Sequence, residues 1–161
     1  RDPDKNFGVE PTLDIQTIPW MQSEAYIRLD LDRDRIKQPN IQSAILHVYC
    51  TSLASCGSYI GPVDVTLYGV EDDAWKETAI TWNTKPEGVP LSTQTISERD
   101  KWYTFDVTDF VQKQYAADKK VSFKLASDTE QHMLVSFGAK EEPPKSTAQP
   151  LTRPILKIEA K

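Results

Sequence analysis

The sequence predicts an all-β protein, a β-sandwich of two antiparallel sheets with one short helix, forming a single domain over residues 1–161. Apolar residues recur at every second position in several short runs, as they do in strands with one face in a core. Segments rich in glycine, proline, asparagine and aspartate separate those runs, and no helix-strand repeat suggests βαβ units. The length, 161 residues, suffices for one well-filled core.

The strands follow in order. After residues 12–16, the run AYIRLDL (25–31) alternates strictly, with Ala25, Ile27, Leu29 and Leu31 on one side and Tyr26, Arg28 and Asp30 on the other. AILHVYC (44–50), VDVTLYGV (63–70), VSFKLA (121–126), MLVSFGA (133–139) and ILKIEA (155–160) repeat the pattern. Turns are expected at 32–40, 57–62, 86–90 and 143–150. A helix is expected at 109–115, with Thr108 as its cap and Asp109 in its first turn. Phe110 and Val111 would then close an open end of the sandwich.

Charge narrows the partners. The formal net charge is -5, which argues against a nucleic-acid-binding surface. The distribution is uneven: residues 113–161 carry nine basic and six acidic side chains, the rest ten and eighteen. A basic patch facing a polyanion is compatible with that asymmetry. No apolar run approaches the ~20 residues that span a bilayer. The opening Arg1-Asp2-Pro3-Asp4 reads as a processed N-terminus or a module cut from a larger protein.

Five residues lie between Cys50 and Cys56 in YCTSLASCGSY. In an extracellular protein they would form a disulfide worth about 2 kcal/mol, stapling a strand end to its loop. Two free thiols are the alternative. Oxygen ligands for a structural calcium ion are plentiful at Asp30, Asp32, Asp34, Asp72, Asp73, Asp106 and Asp109, but no EF-hand spacing assigns one. No other cofactor is implied.

Four stretches carry a family resemblance: AYIRLDL (25–31), DDAWKETAITWNTKP (72–86), WYTFDVTDFVQ (102–112) and the tail VSFKLAS, VSFGAKE and PILKI within 121–158. Their order and spacing resemble the DNRLRE-type domains, which include carbohydrate-binding modules classed as family ninety-six. The most specific piece is Trp75, Glu77, Ile80, Thr81, Trp82, Asn83 and Pro86; Asn6-Phe7-Gly8 fits the family's opening. The resemblance implies a jelly-roll sandwich appended to polysaccharide lyases or cell-surface proteins, some of whose members bind alginate. It departs at two points: a strand that usually precedes Asn6 is short or missing, and the Cys50/Cys56 loop is not a general feature.

A uronate polymer needs cations for its carboxylates and flat rings for its sugars. Arg28 and Lys140 match recurrent basic positions of the family and are the first candidates. Lys124 projects to the outward side if Val121, Phe123 and Leu125 face the core; Lys119 and Lys120 lie in the preceding turn. Tyr26, His47, Tyr49 and Tyr68 alternate outward and would form a sugar platform. For each, a salt bridge or cross-strand pair is the structural alternative. Trp75, Trp82, Trp102 and Phe105 read as core anchors, the indole N–H groups finding partners, and Trp20 as an exposed loop tip.

No nucleophile elbow, zinc-protease helix, phosphate loop or dinucleotide fingerprint occurs. The expectation is therefore a secreted, non-catalytic module for an acidic polysaccharide, linked to a catalytic domain in its parent chain. A structural or adhesive module and a small polysaccharide lyase are the alternatives.

Overall fold

A computed structural model of the chain describes residues 3–31, 40–140 and 151–161. Among the described residues, ten strands and one helix follow each other as β1 (Thr12–Ile18), β2 (Met21–Ser23), β3 (Ala25–Asp30), β4 (Ile41–Ser55), β5 (Val63–Val70), β6 (Val89–Ile96), β7 (Lys101–Asp106), α1 (Thr108–Ala117), β8 (Lys120–Ala126), β9 (Met133–Gly138) and β10 (Ile155–Ala160). They form the expected sandwich of two antiparallel sheets. One sheet runs β10-β4-β9-β1-β2, with β7 also on β4; the other runs β3-β8-β5-β6. Cys50 pairs with both Lys101 and Phe137, so β7 and β9 flank opposite edges of β4.

Alternation places the core as the sequence requires. Ile15, Leu46, Leu67, Phe105, Phe123 and Phe137 are among the fully buried side chains that meet between the sheets. Helix α1 closes one end through Phe110 and Val111. Gly69 in β5 leaves room for the Phe110 ring, which a side chain there would strike.

Several expectations need correction. Strands β2, β6 and β7 lie where none was expected; β6 includes Pro90, tolerated because β6 is an edge strand with no ladder bond to lose on its outer side. Thr108 is the first helical residue and makes no side-chain cap. The Asp106 carboxylate instead accepts from the Thr108 N–H (3.0 Å) and hydroxyl (2.6 Å), and these bonds hold its carboxyl below the usual range. Trp102 points away from the core that Tyr103 and Phe105 enter. Its ring instead packs edge-on against Tyr49 at 5.2 Å.

The expected disulfide is absent: Cys50 and Cys56 are free thiols. Strand β4 runs on past Cys50 to Ser55, and six residues of strand span about 20 Å. A disulfide needs its Cα atoms roughly 4.4–6.8 Å apart. Cys50 faces the core, where burial pushes its thiol to about 11, and Cys56 is exposed. The expected turns at 32–40 and 143–150 lie largely or wholly outside the described residues, as do Asp32 and Asp34.

Candidate functional site

The outward-facing residues of β8, in the middle of the second sheet, are not open to solvent. The segment 71–88, which joins β5 to β6, folds back across β3 and β8. Strand β8 is therefore buried on both faces after its first residue, with Ser122 and Lys124 covered as well as Val121, Phe123 and Leu125. Short-range bonds shape the segment: the Asp72 carboxylate accepts from Ala74 N–H, the Ala79 and Ile80 N–H groups share the Lys76 carbonyl, and Thr84 Oγ1 accepts from Thr81 N–H. Long-range bonds fix it in place. Tyr26 donates its hydroxyl to the Pro86 carbonyl at 2.9 Å, and Asn6 donates to the carbonyls of Glu77 (2.7 Å) and Ile80 (2.6 Å). Asn83 donates to the Asp4 carboxylate at 2.8 Å. Gly8 is required by close approach, since a side chain would collide with the Glu77 carbonyl.

These contacts make one wall of a cleft of about 590 Å³. The other walls are the N-terminal segment 3–10 and the β1-β2 hairpin, and the floor includes Glu24, where the chain crosses from one sheet to the other. Its aromatic lining comprises Phe7, Trp20, Tyr26, Trp75 and Trp82. Trp20 is 75% exposed, the loop tip its position suggested, and Phe7 is 53% exposed. Trp82 is 39% exposed rather than a core anchor, because the turn at 81–84 carries it to the rim of the cleft. Trp75 is buried as expected, but its indole N–H has no partner among the described residues.

Amines sit on several of these rings. Lys85 Nζ lies 3.8 Å from the Trp82 ring centre and 2.7 Å from Glu24. Lys5 Nζ lies 4.9 Å from the Phe7 ring centre, and no described carboxylate forms a salt bridge with it. The lining also holds Lys140, against the carboxylates of Glu10, Asp14, Glu24 and Glu77, so the cleft is nearly balanced in charge.

The seven sequence candidates separate into two groups. Tyr26, Lys124 and Tyr68 lie in register across β3, β8 and β5, with Arg28 one step along β3. Arg28 and Lys124 are held inside the fold rather than offered to solvent. One terminal nitrogen of Arg28 donates to the carbonyls of Asp73 and Trp75. Lys124, with a side chain only 7% exposed, lies 3.7 Å from Glu24 and from Glu87 and 4.5 Å over Tyr68. Tyr68 donates to Asp128, and burial followed by that carboxylate raises its hydroxyl above the usual value. Burial, then Glu24, raises Tyr26 further, so it acts as a donor throughout the physiological range. Lys140 reaches the same region, donating to the Arg28 carbonyl at 3.0 Å and to the Glu77 carboxylate. His47 and Tyr49 lie instead on the outer face of the other sheet, around Trp102, where burial followed by Lys157 lowers the His47 imidazole.

Asn6-Phe7-Gly8, which fits the family's opening, and the more specific Trp75–Pro86 motif thus meet as facing parts of one cleft. The sequence model of carbohydrate-binding module family 96 matches residues 1–151. The chain belongs to this family. It is a carbohydrate-binding module, and its cleft offers what such a module needs: exposed rings for sugar faces beside hydrogen-bonding side chains. No curated protein matches it closely enough to count as a relative. Among the described residues, no three His, Cys, Asp or Glu side chains gather to hold a metal ion, and no helix is long and apolar enough to cross a membrane.

Phe7, Glu24, Trp82 and Lys85 were not foreseen as site residues. Phe7 and Trp82 were visible as parts of the family motifs, though Trp82 read as core. Glu24 and Lys85 had no local signal, because only the return of segment 71–88 brings them together.

Proposed function

We propose that this module binds an acidic, uronate-containing polysaccharide, alginate first among them, in the cleft between segments 3–10 and 71–88, and does so without cutting it. The observation that supports the reading is the pairing of ammonium groups with accessible rings, Lys85 on Trp82 and Lys5 on Phe7. A uronate presents a C–H face and a carboxylate within one sugar unit, and each such pair offers a partner for both. Lys140 and Tyr26 line the same cleft, while Arg28 and Lys124 support it from beneath. Each polar contact contributes about 1 kcal/mol net, so useful affinity requires several sugar units bound at once. We place the module outside the cell, in a parent chain that also carries a catalytic domain.

Affinity electrophoresis in gels containing alginate, polygalacturonate, chondroitin sulfate or a neutral β-glucan tests the reading. Alginate should retard the protein, and added salt should weaken the retardation as the charges are screened. Equal mobility in every gel rejects it.

A further inference from the structure

We propose that Lys85, held across Trp82 by Glu24, is the charge filter of the cleft and decides that it takes acidic rather than neutral sugars. The proposal rests on the cleft being the glycan site. Trp82 is the rim ring most directly guarded by a cation: its centre is 3.8 Å from the Lys85 amine. The same amine is 2.7 Å from the Glu24 carboxylate, and both side chains are only 16% exposed. One face of an otherwise accessible indole is therefore covered by an ammonium group that is itself ion-paired.

A neutral sugar seeking that face must lift the amine from ring and carboxylate together, and returns only hydroxyl groups. A uronate returns a carboxylate, so the amine exchanges one anionic partner for another while the sugar ring takes its place on Trp82. The exchange does not strand Glu24. Its carboxylate keeps the Lys124 amine at 3.7 Å, and a semi-buried charge is costly only when left without such a partner. Glu24 thus acts as an internal stand-in for the ligand's carboxylate.

Alginate and a neutral β-glucan, each titrated against wild type, Lys85→Ala and Glu24→Gln, test this. Lys85→Ala should lose roughly fivefold in alginate affinity, equivalent to one charge-assisted contact, and gain measurable retention on the neutral glucan because the ring is uncovered. Glu24→Gln should bind alginate several-fold more tightly, because the competing carboxylate is gone, and should also raise neutral-glucan retention, since the amine then has only the ring to leave. Thermal melts establish that each variant folds, and if Glu24→Gln does not, Lys85→Ala decides alone. The filter is overturned if Lys85→Ala leaves selectivity unchanged or weakens both ligands alike, or if folded Glu24→Gln binds alginate no better than wild type. Wild type that ignores every uronate polymer overturns the reading of the cleft instead, a separate and visible failure.

Discussion

The guanidinium carbon of Arg28 lies 4.6 Å from the centre of the Trp75 ring, while a terminal nitrogen bonds the carbonyls of Asp73 and Trp75. A cation that strand alternation directs outward is therefore enclosed by the segment that returns over it. The guanidinium fastens two carbonyls of that segment and lies against an aromatic face at once, a combination lysine does not reproduce.

Removing that clasp should cost stability before it affects ligand. Charge-assisted hydrogen bonds and a partly desolvated cation-π contact together place the loss for Arg28→Ala at roughly 2–4 kcal/mol. Urea denaturation measures it, and Arg28→Lys should recover less than half. A melting curve superimposable on wild type would mean that segment 71–88 does not depend on Arg28.

The two tryptophans of the family motif should respond in opposite ways. Trp75, 7% exposed, should cost about 3–5 kcal/mol on replacement by alanine. Trp82, at 39% exposure, should cost less than about 1 kcal/mol yet weaken retention on alginate. Paired denaturation and affinity measurements on both variants separate the roles, and equal destabilisation contradicts the assignment.

The thiols give a third check. At pH 8 a thiol reagent should label Cys56 promptly, and Cys50 only after denaturation. Two labels in native protein, or none until reduction, would contradict the buried, unbridged Cys50. Its thiol is raised by burial to about 11 in the folded chain, above an ordinary unfolded value of about 8.5. The folded state then holds the proton more strongly, so this contribution to stability is complete below the ordinary thiol range and is lost as pH climbs toward 11. Cys50→Ala should flatten that alkaline decline.

Period-two alternation was enough to identify a sandwich and to choose the inward faces of β3, β5, β8 and β9, while Asp109 at the start of segment 109–115 marked the helix that closes its end. Those features follow from neighbours one to four residues apart, where hydrophobic pattern acts directly. Alternation says only which way a side chain points, not what lies beyond it. For Arg28, Lys124 and Lys140 the answer comes from Asp73, Glu24, Glu87 and Glu77, brought close by chain that is distant in sequence or crosses between sheets. The same holds in reverse for Cys50 and Cys56, close in sequence but kept apart because an extended strand separates them. Local composition thus determined the scaffold; the path of segment 71–88 decided which charged and aromatic groups became part of the fold and which still face a ligand.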